Sequence, residues 1–223
     1  MSNRLSVIIP AYNAAKYIEE AVASVRKQAW DGDVEIIVID DGSTDRTVEI
    51  AKELECTVIS QNRQRAAHAR NEGIKLSTGE WIFMLDSDDT CSDDALEKLY
   101  SPVLEDAEVY AVFGRTKDFV SPEITKEELG NVIPRTEPYE GILPGCSLIR
   151  RSVFDKVGLF DETLKSGETV DWMMKLRSSG LKTVQLSDVI LNRRIHLTNT
   201  GRTDRKEELK NYAALLRKRM GGS

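Results

Sequence analysis

The chain has 223 residues, of which 40% are hydrophobic and 30% are charged, and its formal net charge is −6. This composition is typical of a soluble globular protein of one ordinary domain and excludes a disordered chain. The acidic balance argues against a nucleic-acid-binding surface, so no nucleic-acid partner is expected. The cysteines, Cys56, Cys91 and Cys146, form no CxxC pair, which favours reduced thiols over a disulfide framework or a zinc site.

The first part of the sequence alternates between strand and helix patterns. Strands are predicted at 5–10, 34–39, 56–60 and 81–85, and helices at 14–28, 46–54 and 65–76. This alternation implies right-handed crossovers and a parallel sheet whose loops gather at one edge. In open sheets of this class, that edge is where ligands bind.

The remainder of the sequence is less regular. A helix at 93–104 and a strand at 109–113 precede 116–139, a charged segment with several prolines that is predicted to be an irregular insertion. Further elements are then expected in this order: a small-residue apolar segment at 141–149, helices at 151–157 and 167–179, strands at 183–186 and 189–195, and a helix at 205–220.

The strand at 81–85 ends in a cluster of carboxylates, Asp86-Ser87-Asp88-Asp89. Acids spaced i, i+2 direct their oxygens into one small volume while strand geometry persists, which suits Mg²⁺ or Mn²⁺ and, through the cation, a phosphate. The alternative is an Asp-rich turn before the helix that starts near Asp93. No GxGxxG follows the first strand and no GxxxxGK[ST] occurs, which disfavours a dinucleotide-binding Rossmann fold and a P-loop NTPase.

Several short motifs follow one another at a recognisable spacing. They are VIIPAYN at 7–13, IDDGSTD at 39–45, ARNEG at 69–73, TGEW through Asp89 at 78–89, GCS at 145–147, FDE at 160–162 and GE at 167–168. With these motifs in order, the chain resembles the family 2 glycosyltransferases, from the first strand to His196. The resemblance implies an α/β fold, a single GT-A (Rossmann-like) domain at 1–204 with a mostly parallel central sheet flanked by helices. Residues 1–114 would bind the nucleotide, 115–204 would bind the acceptor, and 205–223 would form a C-terminal helix and tail.

The resemblance also assigns roles to individual residues. Tyr12 would stack on the nucleobase, typically uracil, Asp41 would hydrogen-bond to it, and Arg70 would lie against the base or ribose. The full set of implied nucleotide-binding residues is Pro10, Ala11, Tyr12, Asn13, Asp41, Arg70, Asp86 and Ser87. For the neighbouring Asp40, a role in a turn and helix cap explains the residue about as well as a role in nucleotide binding.

The implied cofactor is Mg²⁺ or Mn²⁺. Asp86 and Asp88 match the DxD motif of the family, and Asp88 is the better candidate for direct metal ligation. His196 would complete the metal or diphosphate site. The adjacent Arg193 and Arg194 would either neutralise the departing diphosphate or form a charge pair at the strand edge.

The sequence departs from the family pattern at Thr169. Inverting members usually carry Glu-Asp after the glycine, and the Asp is the general base that takes the proton of the acceptor. Because threonine cannot serve as this base near neutral pH, three hypotheses follow. The base is Asp171 or Glu168, the acceptor is more acidic than a sugar hydroxyl, for example a thiol, or transfer activity is lost and donor binding remains.

The predicted function is therefore metal-assisted, inverting transfer of a sugar from a nucleotide-sugar, expected to be a UDP-sugar, to an unidentified acceptor: a glycan, a lipid-linked sugar or a peptide. A non-catalytic nucleotide-sugar-binding protein and a nucleotidyltransferase are the alternatives. The sequence shows no signal-peptide pattern and no apolar run of the about 20 residues that a membrane span needs, so a cytoplasmic location is predicted. The apolar face of 205–220 would pack on the domain or on a second subunit in a homodimer, or would touch the inner face of an anionic membrane.

Overall fold

A computed structural model describes residues 3–130, 132–141, 144–197 and 199. The strands are β1 (Leu5–Ala11), β2 (Val34–Asp40), β3 (Thr57–Ser60), β4 (Trp81–Met84), β5 (Thr90–Cys91), β6 (Ala111–Val120), β7 (Ser147–Arg150) and β8 (Thr183–Ile195). The helices are α1 (Ile18–Arg26), α2 (Thr47–Glu53), α3 (Arg65–Leu76), α4 (Ala95–Glu105), α5 (Lys126–Leu129), α6 (Ser152–Val157) and α7 (Glu168–Ser178). A 3₁₀ turn at Pro144–Cys146 precedes β7.

All the strands belong to one sheet in the order β3-β2-β1-β4-β7-β6-β8-β5. Parallel pairing joins β1 to β2 and β4, β2 to β3, and β6 to β8. The pairings of β7 with β4 and β6, and of β5 with β8, are antiparallel. The predicted α/β architecture, a sheet with parallel strands flanked by helices, is observed, and β1, β2 and β4 end at the same edge.

Both faces of the central strands are buried, as their continuous apolar sequences predict. Leu5, Val7 and Ile9 of β1 pack into the cluster that contains α1 and α4, whereas Ile8 packs into the cluster that contains α3 and α7. This alternation follows from the two-residue period of a strand. The helical layers on both sides hold the strand ends, and therefore the site, in a fixed frame.

The predicted irregular insertion at 116–139 is wrong in its first part, because β6 continues to Val120 alongside β8. The charge of Asp118 within this stretch obscured the strand pattern. Asp118 is buried, but its carboxylate accepts hydrogen bonds from the Arg135 backbone N–H at 2.9 Å and the Tyr139 hydroxyl at 2.8 Å. These partners offset the cost of burying the charge.

Other boundaries also differ from the predictions. Helix α1 begins at Ile18 rather than near residue 14, and before it the Ala14 and Ala15 N–H groups donate to the side chains of Thr47 and Asp45. The two late strands form one strand, β8, whose register against β6 shifts between Phe113 and Thr116. The predicted helix and tail at 205–223 lie outside the described residues. None of the helices that the structure describes has the length and apolar character of a membrane span.

Candidate functional site

The loops after β1 and β2 are tied to each other. Asn13 adopts a left-handed backbone conformation (φ 48°), its N–H donates to Ser43 Oγ at 2.8 Å, and its Oδ1 accepts from the Thr44 N–H at 2.8 Å. Asparagine is one of the few non-glycine residues that tolerates this conformation. A backbone hydrogen bond also joins the ends of β1 and β2, because the Ala11 carbonyl accepts from the Asp41 N–H at 2.8 Å. Ala11 is buried, and Pro10 before it is half-buried.

Tyr12 presents its ring at the surface of this loop pair. Its side chain is exposed, and the Arg63 guanidinium carbon lies 3.6 Å from the ring centroid. A planar cation stacked on an aromatic face is a favourable arrangement. Arg63 was not predicted as a site residue, because it lies in the short irregular connection between β3 and α3, where no periodic pattern or motif marks it.

Asp40 and Asp41 have different roles in the structure. Asp40 Oδ1 accepts from the Ser43 N–H at 3.2 Å, which is the turn interaction considered for it. Asp41 accepts from the backbone N–H groups of Gln64 at 2.7 Å and Arg65 at 2.8 Å, at the start of α3, and from Gln61 Nε2 at 2.8 Å. Its carboxylate therefore caps the electropositive end of α3 and leaves limited capacity for a further donor.

Arg70 of α3 joins two carboxylates from distant parts of the chain. Its Nη2 donates to Asp86 Oδ1 at 2.9 Å and its Nη1 donates to Glu168 Oε1 at 3.0 Å. Burial alone would lower the pKa of Arg70, but the charges of Asp86 and Glu168 outweigh burial and raise it. Arg70 therefore stays cationic and links the acidic loop after β4 to the first residue of α7.

Asn71, the next residue, extends this connection and was missed as a structural part of the site. Its amide nitrogen donates to the Phe160 carbonyl at 2.9 Å and to Glu162 Oε1 at 2.7 Å, and its amide oxygen accepts from the Phe160 N–H at 3.0 Å. The position of Asn71 in the ARNEG motif was the available signal. Helix α3 thus anchors the acidic loop through Arg70 and the segment before α7 through Asn71.

The two candidates for the general base occupy different environments. Glu168 belongs to the Arg70 cluster, and its side chain is 18% exposed. Asp171 is buried one turn further along α7, where its Oδ2 lies 2.7 Å from Lys175 Nζ. Thr169, between them, faces a small apolar recess lined in part by Met84, Phe113 and Trp172.

His196 and Asp88, which were predicted to share a metal site, contact each other at the other side of the acidic loop. His196 Nε2 lies 2.8 Å from Asp88 Oδ2, and both side chains are mostly buried. Asn199 was not predicted: its Oδ1 accepts from the His196 N–H, and its Nδ2 lies 3.4 Å from Asp88 Oδ2. An amide three residues after the histidine was the only sequence signal for it.

A carboxylate oxygen is a ligand that Mn²⁺ and Mg²⁺ prefer, and the imidazole nitrogen that contacts it at 2.8 Å would supply a second ligand beside it. Within the described part of the chain, no group of three or more His, Cys, Asp or Glu side chains is arranged to hold a metal ion. Asp86, the other half of the DxD motif, is instead bound to Arg70, and Ser87 between the acids is partly exposed. The donor set therefore fits a cation that takes two ligands from the protein and the others from a diphosphate and water.

Asp89, the last acid of the loop, is a buried structural carboxylate. Burial raises its pKa well above the usual range, and the nearby charges of Asp88 and Asp86 raise it further. Its Oδ1 accepts a hydrogen bond from the Arg194 N–H at 2.8 Å. The guanidinium of Arg194 forms an ion pair with Glu20. Arg193 lies 3.9 Å from Asp118, which matches the charge-pair alternative for these arginines.

Comparison with known sequences identifies the family of this chain. The sequence model described as Glycosyl transferase family 2 matches residues 6–158. Glycosyltransferase GlyG of Streptococcus pneumoniae is 33% identical over 181 residues, which cover 70% of this chain and 60% of GlyG. An uncharacterized glycosyltransferase of Rickettsia typhi is 32% identical, over 95% of this chain and 70% of its own. The chain thus spans less than two thirds of GlyG.

Solved structures share the fold. S. aureus TarS 1-349 in complex with UDP-GlcNAc gives a TM-score of 0.72 at 20% identity, over 95% of this chain and 65% of that one. The mannosyltransferase PcManGT from Pyrobaculum calidifontis, in complex with GDP-Man and Mn²⁺, gives 0.70 at 22% identity, over 97% and 65%. These likenesses confirm the predicted GT-A, Rossmann-like fold and, at such low identity, support nothing beyond it.

Proposed function

The chain belongs to glycosyl transferase family 2, and on that premise we propose that it transfers a sugar from a UDP-sugar to an acceptor nucleophile, with inversion and with assistance from a metal ion. The observation that carries this proposal is the contact between Asp88 of the acidic loop and His196 at 2.8 Å, close to Asp86 of the same loop, which is bound by Arg70. A nucleotide-sugar needs such a site for its diphosphate, beside a site for its base.

The donor would lie along the edge where β1, β2 and β4 end. Tyr12 would stack on the base with the ring face that Arg63 does not cover, and Asp41, which already accepts three hydrogen bonds, would accept one more from the base. Asp86, Ser87 and Arg70 would border the ribose and diphosphate. Because several of these groups are already fixed by hydrogen bonds, little ordering is needed when the donor binds.

Asp88 and His196 would hold Mg²⁺ or Mn²⁺, beside Asp86 of the same loop. When bound, such a cation supplies positive charge to the departing diphosphate. The protein contributes the fixed position of the two ligands, since His196 is oriented through its backbone by Asn199 and the acidic loop is closed by a hydrogen bond from the Asp89 N–H to the Asp86 carbonyl.

For the acceptor side, we propose Glu168 or Asp171 as the general base. Glu168 is directly coupled to the donor site through Arg70, which favours it by position. Asp171 is buried against Lys175 and would need to exchange this partner to accept a proton. If Glu168→Gln and Asp171→Asn both keep full turnover, neither residue is the base, and a more acidic acceptor such as a thiol becomes the better account.

The test of the function is incubation of the purified full chain with a panel of UDP-sugars and Mn²⁺. We expect slow release of UDP with at least one sugar, and loss of this release in EDTA. Release that is undiminished by EDTA contradicts the metal role. Binding of UDP-sugars without any release of UDP, with acceptors supplied, supports the alternative of a non-catalytic nucleotide-sugar-binding protein, which the Thr169 substitution favours.

We further propose a cytoplasmic location, with peripheral membrane contact or dimer formation through 205–223. Glycans, lipid-linked sugars and peptides are the acceptor classes to be tested. Sedimentation with anionic liposomes, compared between the full chain and a chain truncated before residue 205, distinguishes the two roles of the tail. Equal sedimentation of both chains contradicts membrane contact through the tail.

A further inference from the structure

Arg194 connects several segments behind the acidic loop. Its Nε donates to the Asp88 carbonyl at 2.8 Å, and its own backbone N–H donates to Asp89 Oδ1 at 2.8 Å. The guanidinium also pairs with Glu20 of α1 and lies 3.4 Å from Ser121 Oγ, which follows β6. Only 4% of the Arg194 side chain is exposed, so these contacts, and not solvent, surround its charge.

Aromatic rings complete the enclosure. The guanidinium carbon lies 4.9 Å from the centroid of the Tyr17 ring and 4.6 Å from that of Phe119. The Tyr17 ring also packs against the His196 ring at 4.8 Å, and the Tyr17 hydroxyl donates to Glu123 Oε1 at 2.7 Å. Tyr17 therefore contacts both His196 and Arg194, the residue that donates to the Asp88 carbonyl.

We propose that Arg194 is a positioning residue of the donor site. It holds the main chain of Asp88 from behind, so that the carboxylate of Asp88 is presented to His196, and it thereby sets the affinity of this pair for a divalent cation. This inference rests on the proposed function, because it assumes that the pair binds a cation together with a nucleotide diphosphate.

The geometry requires arginine rather than any cation. The planar guanidinium of Arg194 reaches the Asp88 carbonyl, Glu20 and Ser121 through different nitrogens, and its central carbon lies 4.9 Å and 4.6 Å from the ring centroids of Tyr17 and Phe119. A lysine ammonium is a compact point charge that cannot reproduce this fork or the stacking. Arg194→Lys keeps the charge but releases the acidic loop, and loss of an outer partner of a metal ligand typically weakens metal binding about 10- to 100-fold.

The experiment measures Mn²⁺ affinity of the full chain by electron paramagnetic resonance, in the presence of UDP. We expect Arg194→Lys to bind Mn²⁺ at least about tenfold more weakly than the wild type. The matched control is Arg46→Lys, at an arginine that is 67% exposed and pairs with Glu49 and Glu53 on α2, and it should leave the affinity unchanged. A purely structural arginine would change the stability of the fold but not the Mn²⁺ affinity of the folded protein.

An Arg194→Lys chain that is folded by circular dichroism and binds Mn²⁺ within twofold of the wild type overturns the inference and leaves the proposed function intact. A wild-type chain that binds neither Mn²⁺ nor UDP overturns the proposed function and this inference with it. If Arg194→Lys does not fold, the same measurement is made on Glu20→Gln, which removes the ion pair of Arg194. The Glu20 side chain is 60% exposed, so the fold should tolerate this change. A drop in Mn²⁺ affinity of about threefold or more supports the inference, and an unchanged affinity overturns it.

Discussion

At the scale of single residues, the buried cation of Arg70 is the electrostatic centre of the candidate site. It is shared by Asp86 of the acidic loop and Glu168 of α7, and only 6% of its side chain is exposed. Two carboxylates that lie this close to one guanidinium would repel each other without it. The same residue therefore fixes the distance between the acidic loop and the start of α7.

Arg70→Gln removes this charge and leaves both carboxylates without a counterion. We expect the free energy of unfolding to fall by about 2 to 4 kcal/mol, toward the lower end for a broken buried ion pair because Asp86 is 38% exposed. Urea denaturation measures this change. Arg46→Gln, on the exposed face of α2, is the control and should cost less than about 1 kcal/mol. Equal losses for both variants would contradict the central role of Arg70.

At the scale of secondary-structure elements, α3 lies unusually close to the sheet because of Gly73. A Cβ atom at this position would approach Ile8 Cγ2 of β1 to 2.3 Å, well inside van der Waals contact. This close approach fixes α3 against β1, and from there Arg70, three residues earlier on α3, reaches Asp86 in the loop after β4. The glycine thus has a packing function that determines where the site residues lie.

Gly73→Ala tests this packing. Alanine would stabilise an isolated helix by about 1 kcal/mol, but the clash with Ile8 should reverse the sign and cost about 1 to 3 kcal/mol of stability. In an Ile8→Ala background the clash is removed, so the same glycine substitution should cost much less. A double-mutant cycle by urea denaturation measures the coupling, and additive effects would show that Ile8 is not the obstacle.

A second connection between elements depends on pH. Glu35 of β2 accepts hydrogen bonds from Ser6 Oγ at 2.6 Å and from the N–H and hydroxyl of Thr78, each at 2.7 Å. Burial by itself raises the pKa of Glu35, but these hydrogen bonds outweigh burial and hold the pKa below its usual value. The ionised carboxylate therefore stabilises the contact between β2, β1 and the turn before β4.

Because the folded-state pKa of Glu35 is lowered, its stabilisation is present above the unfolded-state pKa of about 4.3 and is lost as the pH falls through the folded value. We expect Glu35→Gln to show a smaller loss of unfolding free energy between pH 7 and pH 3 than the wild type. Glu19→Gln, on the exposed side of α1, should follow the wild-type curve. Parallel curves for Glu35→Gln and the wild type would refute the prediction.

At the scale of the whole molecule, the candidate site draws on most of the chain. The loops after β1, β2 and β4, helix α3, the start of α7 and the end of β8 all contribute to one edge of the sheet. A ligand that binds this edge would join segments that are far apart in sequence. Binding should therefore be visible as a gain in global stability rather than as a local change.

Saturation with UDP and Mn²⁺ together should raise the stability of the full chain by about 2.7 kcal/mol at a ligand concentration 100 times the dissociation constant. Thermal unfolding with UDP alone, Mn²⁺ alone and both measures this gain. We expect the combined effect to exceed the sum of the separate ones, because the diphosphate completes the ligands of the cation. His196→Ala should remove this excess, and an excess that survives the substitution would exclude His196 from the site.

Much of this molecule follows from local sequence. Continuous apolar runs such as that of β4 must be buried on both faces, and they change abruptly to carboxylates, so the strand order along the chain and the acidic loop were predictable. The family motifs implied that Asp88 and His196 share a metal or diphosphate site, and the structure brings their side chains to 2.8 Å, while the metal itself stays a prediction. The prediction for 116–120 failed because the burial of Asp118 depends on Arg135 and Tyr139, partners that no local pattern reveals.

The sequence by itself determined the alternation of elements, the edge that carries the acids, and the residue types available there, because periodicity and strand ends are local properties. Only the tertiary structure decided which partners these residues take. Asp86 and Glu168 share Arg70, Asp41 caps α3, and Arg194 donates to the Asp88 carbonyl. The physical reason is that the pairing of buried charges depends on distances between segments tens of residues apart, and packing of α3 and β8 on the sheet sets those distances.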